Sequence, residues 1–406
     1  MVIIADRMAK VRYPIRDVVA AAKKLEAAPG PKMLNLSIGD PDAYDFDTPA
    51  YVKKALYAAV EKGFNGYADS SGYLDLRKAV CQDNSKKGID CTAEQVIVTT
   101  GTSEATNMLY GAMLNPGDEV LVPAPCYPQY ENLAYYYGAK PVFYPLDEQN
   151  EFHPHFEELE KLVTKKTKMI VSINPNNPTG AVMGGKETKK FVEFAAENDL
   201  VMVSDEIYDQ MVFGEKIVSA ASLSKEAPII TLNGISKNYL SPGWRVGWMS
   251  FSNFKDSALP AAVTQLCRLR LSAPLPMQVA AVEALQNEKE YAVEKKKMLE
   301  KLRKRRDLAH KRLNELPGVS CVLPKGAFYA FPQLHDEKAN GGKGVWQDDK
   351  QFVYELLEKE RVLTVFGSGF GESAGSKHFR IVFLPTESEL NEAFDRIGKF
   401  LKAKGF

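Results

Sequence analysis

The residues of this chain that could do chemistry stand where apolar runs end. Lys237 lies in "NGISKNYLSPGWRVGW", residues 233–248, directly after the run "PIITL", and the same stretch carries Arg245. In "LVMVSDEIYDQ" an apolar run ends at Asp205, with Tyr208 one helical turn later on the same side. "INPNNPTG", residues 173–180, sets Asn177 between two prolines in a rigid loop. "QVIVTT" is followed by Gly101, Thr102 and Ser103 at the start of a helical pattern, and "EVLVPAP" by Tyr127. Singly, each has a plain explanation: a lysine is usually a solvated surface charge, Thr102 or Ser103 a helix cap, Tyr127 a core ring and the prolines a turn.

Together they make a coherent set. A carboxylate at the end of a buried strand costs free energy unless a cation meets it. Backbone N–H groups at a helix start, with hydroxyls and a guanidinium, suit a phosphate. A tyrosine face suits a flat ring, an amide and a phenol can donate to a phenolate, and a lysine amine is a nucleophile. One cofactor asks for all of these: pyridoxal 5′-phosphate, whose aldehyde condenses with a lysine and whose ring nitrogen stays protonated beside an acid.

Positioning these residues requires a sheet. From about residue 48 to 290 the runs "QVIVTT", "EVLVPAP", "KMIVSI", "LVMVSD", "IITLN" and "RVGWMSF" alternate with helical patterns, which predicts an α/β domain with a mostly parallel sheet covered on both faces. Ligands of such sheets bind beyond the carboxyl ends of the strands, where the residues above stand. A break at "EAAPGPK", residues 26–32, follows a helical "IRDVVAAAKKLEAA". Further on, Met298, Leu302, Ala309, Leu313 and Leu316 share one face of a long helix, leaving its Lys/Arg run on the solvated face. The chain of 406 residues is therefore expected to divide into a large domain, 48–290, and a smaller α+β domain from 1–47 and 291–406.

Composition narrows the function. Lys plus Arg and Asp plus Glu are each 52, so the chain carries no electrostatic footprint for nucleic acid or an anionic membrane. Five scattered cysteines without a CxxC pair argue against a disulfide framework or structural zinc, and the absence of a signal-like start or a long apolar segment reads as cytoplasmic. A rival phosphate-loop ATPase rests on "GAVMGGKE", residues 180–187, but Glu187 stands where a hydroxyl should meet magnesium. "FGSGFG", residues 366–371, is a weak glycine fingerprint that reads better as a mobile loop.

The order "NPNNPTG", "SDEIY", "SKNYLSPGWRVGW" resembles the class I aminotransferases of the pyridoxal-phosphate superfamily, and the likeness runs from "NLSIGDP" to "FRIVFLP". "GYADSSGYLDLRKAV", "LVPAPCYPQY" and "PGVSCVLPKGAFYAFP" are most similar to the alanine aminotransferase branch of bacteria and archaea. The resemblance implies a fold type I enzyme with a seven-stranded large-domain sheet, working as a homodimer with shared sites. It makes Lys237 the Schiff-base lysine and Arg245 the phosphate arginine. Asp205 would hold the ring nitrogen, Tyr208 and Asn177 the ring oxygen, and Tyr127 would stack. Gly101, Thr102 and Ser103 would line the phosphate, with Tyr67 reaching it from the neighbouring subunit. Arg380 of "KHFRIVF" would bind the substrate α-carboxylate, and Gly39 would approach the substrate by its backbone. Many relatives carry serine three positions before the lysine; here Gly234 stands there, leaving Ser236 as the alternative hydroxyl. The implied reaction is ping-pong transfer of an amino group between alanine or glutamate and pyruvate or 2-oxoglutarate. Alternatives within the same residues are an aspartate or aromatic donor, or a lyase or decarboxylase. A transcription regulator of this fold would need a DNA-binding domain ahead of "NLSIGDP", where only a short segment is read. Tyr13 and Arg16 of "VRYPIRDVV" could lie over the site and meet a small side chain or a distal carboxylate, or simply start a helix.

Overall fold

All six apolar runs become strands of one sheet in the computed structural model, which describes residues 4–26, 28–214, 216–339, 344–371 and 373–406. From one edge the order is Val96–Thr99, Gly247–Ser252, Ile229–Gly234, Val201–Asp205, Thr167–Ile173, Glu119–Ala124, Lys140–Asp147 and His153–Pro154. The five strands from Ile229–Gly234 to Lys140–Asp147 run parallel, while Gly247–Ser252 is antiparallel to both its neighbours. The two-residue strand His153–Pro154 lies antiparallel at the edge and extends the expected seven strands to eight. Lys140–Asp147, "KPVFYPLD", escapes the sequence reading because its prolines and half-exposed pattern mark a near-edge strand rather than a central one.

Alternation along each strand explains why both faces are covered. Val120, Val171, Val203 and Ile230 pack on one side, in the cluster that holds Leu109 of the helix Thr102–Met113 and Val263 of the helix Ala258–Arg270. Leu121, Ile170, Met202 and Ile229, each one residue away, pack on the other side with Phe191 and Ala195 of the helix Gly185–Glu197.

A third core joins the first residues of the chain to the last hundred. Val18, Leu34 and Leu36 pack with Met298, Leu302, Ala309 and Leu313 of the helix Glu288–Glu315 and with Phe379, Ile381 and Val382 of the strand Phe379–Val382. One charge breaks the expected pattern of that long helix. Arg305 lies on its buried face, over the Phe46 ring, with both terminal nitrogens 2.7 Å from the carboxylate of Asp45. The bidentate bond holds the Asp45 carboxyl down at about 2 despite its partial burial, with Lys301 helping. Asp45 is 260 positions away, so no local pattern in the sequence reveals it.

Two motifs from the sequence find structural uses. Glu187 accepts the Gly184 N–H at 3.0 Å and meets His153 at 2.5 Å, so it caps the helix Gly185–Glu197 instead of opening a phosphate loop. The "FGSGFG" segment, expected as a mobile loop, contains a largely buried 3₁₀ turn, Gly367–Phe370, with Gly369 packed against Pro14. No helix among the described residues is long and apolar enough to cross a membrane.

Candidate active site

A cavity of about 570 Å³ opens at the carboxyl ends of the parallel strands, where the order of the sheet reverses direction. Thr102, Ser103, Tyr127, Asn177, Asp205, Tyr208, Ser236, Lys237, Arg245, Gly39 and Arg380 all line it. Of the expected site residues, Gly101 sits just behind this wall as the N-cap of the helix Thr102–Met113, and Tyr67 lies away from the cavity, 80% exposed.

Asp205 ends the central strand Val201–Asp205 and is buried. Its carboxylate accepts the Tyr130 hydroxyl at 2.6 Å and the Ile207 N–H at 3.1 Å. Burial pushes its pKa up to about 6, against the pull of those two donors. Lys237 follows the strand Ile229–Gly234; its ammonium donates to the Gly39 carbonyl at 2.8 Å. Burial brings its pKa down to about 8, with Arg245 and Arg380 acting in the same sense and Asp40 and Asp42 against it. That shift favours the neutral, nucleophilic form.

Arg380 is the other fixed point. Its guanidinium is buried between the rings of Tyr329 and Phe370, each 4.8 Å away, donates to the Asn177 side chain at 3.2 Å and bonds the Ser37 carbonyl. Its Nε remains a buried donor with no partner among the described residues. Opposite charge is what such a group needs, and no carboxylate side chain among the described residues forms an ion pair with it.

Two tyrosine pairs shape the walls. The hydroxyls of Tyr208 and Tyr329 lie 2.8 Å apart, and those of Tyr127 and Tyr13 lie 2.6 Å apart with the rings edge to face. Tyr130 and Tyr329 line the cavity and are positions that the sequence reading missed. Tyr130 was within reach of it, because it follows Tyr127 by three residues and falls one turn later at the start of the helix Gln129–Tyr136. Tyr13 and Arg16, left open between two readings, line the cavity from the start of the helix Pro14–Glu26.

At the helix Thr102–Met113 the backbone is bare. Gly101, at φ 79°, leaves its first N–H groups without a side-chain cap, and a Cβ there would fall 2.4 Å from Arg245 Nη2. Arg245, itself left-handed at φ 54°, is pinned by the Pro242 and Thr100 carbonyls at 2.8 and 3.1 Å. Gly234 pairs with Gly247, and Gly247 lies so close to Gly101 that a Cβ would meet its carbonyl carbon at 2.8 Å. A side chain at 234 would meet the Val246 oxygen at 2.7 Å, so this backbone has no room for the serine of many relatives, whereas Ser236 reaches the cavity.

The profile of the aminotransferase class I and II family matches residues 31–397. The chain belongs to this family. Among curated members, this aminotransferase is 37% identical to the glutamate-pyruvate aminotransferase AlaA of Haemophilus influenzae, over 98% of this chain and 97% of that one. It is 36% identical to aromatic-amino-acid aminotransferase 2 of Thermococcus litoralis, over 99% of each. Among solved structures, the alanine aminotransferase of Pyrococcus furiosus superposes with a TM-score of 0.93 at 42% identity, covering 99% of this chain and all of the other.

As a member of the family this aminotransferase is an enzyme dependent on pyridoxal 5′-phosphate, and the donor set fits that group. Uncapped N–H groups beside a guanidinium match a phosphate dianion. The strand-end carboxylate, for which no cationic side chain is an ion-pair partner among the described residues, matches a protonated ring nitrogen.

The Asp205 shift carries a pH signature. A carboxyl raised from 3.8 to about 6 binds its proton more tightly folded than unfolded, so its contribution is stabilising below the unfolded value and is lost as pH rises through 6. At roughly 1.4 kcal/mol per unit the loss amounts to about 3 kcal/mol. Cofactor-free Asp205→Asn is therefore expected to be more stable than the parent at pH 8 by about that amount, and nearly equal to it at pH 4. Urea unfolding at the two pH values measures this; a difference independent of pH would exclude Asp205 as its source.

Proposed function

We propose that this aminotransferase moves the amino group between alanine and glutamate, with pyruvate and 2-oxoglutarate as the partner acids. One observation carries the choice of substrates: the cavity offers two separate cations for carboxylates. Arg380 is firmly held and would be shared by every substrate, whereas the exposed Arg16 lines the cavity from the helix Pro14–Glu26, its side chain without a hydrogen bond or ion pair to any described residue. A dicarboxylate can engage both, while a three-carbon substrate engages only Arg380 and leaves Tyr13, Ile15, Val19 and Ile38 to exclude larger side chains.

In this reading Lys237 holds the cofactor and, once released, its amine carries the proton to and from the substrate α-carbon. Bound pyridoxal phosphate supplies an electron-withdrawing ring that stabilises the carbanion at that carbon. Asp205 keeps the ring nitrogen protonated, and Tyr130 keeps Asp205 ionised. Tyr208 and Asn177 would meet the ring oxygen, Tyr127 would face the ring, and Gly101, Thr102, Ser103, Ser236 and Arg245 would take the phosphate. Arg380 binds the α-carboxylate, and Gly39 offers the carbonyl that already receives Lys237.

The neighbouring copy completes the site in this reading. Tyr67 is exposed in a loop tied to the segment after the helix Ala258–Arg270 by the Ala68 N–H to Ser272 bond, and beside it Leu269 and Leu271 are 84% and 51% exposed. Exposed apolar groups of this kind near Ser272 fit a self-complementary two-fold contact. A cytoplasmic site of action accords with the five free cysteines, and recovery from a secreted fraction would contradict it.

The deciding experiment mixes holoenzyme with single amino acids and follows the loss of the cofactor's long-wavelength absorption. Alanine and glutamate are expected to discharge it fastest; faster reaction with phenylalanine or tyrosine would assign the enzyme an aromatic donor instead. Arg16→Gln should raise KM for glutamate and 2-oxoglutarate by about tenfold, the usual effect of losing one charged hydrogen bond, and leave alanine and pyruvate within twofold. Equal effects on both pairs would remove Arg16 from the specificity argument. Tyr67→Phe should weaken cofactor retention by about tenfold without changing the unfolding midpoint, and dilution should release cofactor and activity together. An active monomer at sedimentation equilibrium rules out the shared site.

A further inference from the structure

Behind the cavity wall lies a buried charge cluster that the chemistry above does not use. Asp209 follows Tyr208 directly, with its side chain 3% exposed. One carboxylate oxygen accepts the Lys87 ammonium at 2.7 Å and the other accepts the Asn238 amide at 2.6 Å. Lys87 caps the helix Leu74–Lys86 and also pairs with Asp83 at 2.9 Å. Asn238 is the residue after Lys237. None of Asp209, Asn238 and Lys87 lines the cavity.

The placement has a mechanical meaning. Lys237 sits in a short turn closed by the Leu240 N–H to Lys237 carbonyl bond at 3.1 Å and by Ser241 on the Ile235 carbonyl at 3.0 Å. Asp205 ends its strand just before the neighbouring loop that carries Tyr208, closed by the Asp209 N–H to Glu206 carbonyl bond at 3.0 Å. The Asp209–Asn238 bond ties the side chains of these two loops together, and Lys87 supplies the charge that makes a carboxylate tolerable at that depth. Burial alone would raise the Asp209 carboxyl, yet Lys87 and the Asn233 and Asn238 amides hold it below its ordinary value.

We propose that Asp209 is a positioning residue for Lys237: a buried carboxylate, neutralised by Lys87, that fixes the amine-bearing turn through Asn238 at a set distance from Asp205 and Tyr208 while touching no reactant itself. This rests on the reading of Lys237 as the lysine that holds the cofactor. A catalytic amine must be held close to its working geometry, because displacement by about 1 Å costs on the order of a hundredfold in rate. Alanine at 209 would leave the Asn238 amide without this acceptor and Lys87 with Asp83 alone.

The test uses holoenzymes of Asp209→Ala, Asn238→Ala and Lys87→Met beside the parent. Asp209→Ala and Asn238→Ala should each lower kcat by about tenfold to a hundredfold with the KM for the amino donor within twofold, a split that marks a defect of geometry in the transition state. Both should also shift the pH midpoint of the cofactor's visible absorption, which reports the nitrogen of Lys237, by about half a unit or more. Lys87→Met should shift both readouts in the same direction but less, since the bond to Asn238 survives. Should Asp209→Ala fail to fold, Asn238→Ala decides, because it leaves the Lys87–Asp209 pair in place. A lower thermal midpoint with kcat and spectral midpoint unchanged would overturn the proposal, reducing Asp209 to a structural ion pair. Borohydride reduction of the parent followed by peptide mapping separates the two claims: a label on Lys237 with unmoved variants sinks the positioning role alone, and a label elsewhere sinks both.

Discussion

A carboxylate at the inner end of a strand covered on both faces is the constraint from which the rest of this site follows. Asp205 lies on the central strand, so it cannot turn to solvent, and Tyr130 and the Ile207 N–H reduce the cost of burying its charge without cancelling it. What remains is a demand for a positive partner at that point. A flat cationic ring would meet it, and Tyr127 and Tyr208 line the same cavity. The cofactor-free chain thus carries an unfavourable interaction that a cationic ligand would relieve.

The buried cation works by a different balance. Arg380 is held by ring faces and carbonyl oxygens, which orient the guanidinium without neutralising it. Its strand belongs to the core shared by the first and last parts of the chain, whereas Lys237 and Asp205 belong to the sheet. The two are not packed apart, because Ile207, Tyr208 and Leu240 join that same core, and the Tyr13–Tyr127 and Tyr208–Tyr329 hydroxyl pairs tie the cavity walls together.

How much of this was legible in the sequence depended on distance along the chain. Strands announced by continuous apolar runs were readable, and so were Asp205 and Lys237, because each sits at the end of one. The near-edge strand Lys140–Asp147 was not, since half-exposure dilutes its pattern with prolines and charges. Contacts between remote residues left no local trace: Tyr130 meets Asp205 across 75 positions, Arg305 meets Asp45 across 260, and Asp209 meets Lys87 across 122. The resemblance supplied roles, but these partnerships, which decide whether a charge can be buried, became visible only in three dimensions.

The close approach of Gly101, Gly247 and Gly234 has an implication for how such enzymes diverge. The turn at Gly101 meets there the two consecutive strands that carry Gly234 and Gly247, backbone against backbone, and the spacing is set by the absence of side chains on all three. A lysine-bearing loop taken from a relative with serine before the lysine would bring an extra carbon against the Val246 carbonyl, and the strand Gly247–Ser252 would have to shift to receive it. That strand in turn rests on the turn at Gly101, which frames the helix start and Arg245. The three segments therefore form a single module for exchange: a chimera with crossovers between them would join backbones fitted to different spacings, while one that moves all three together would keep the fit.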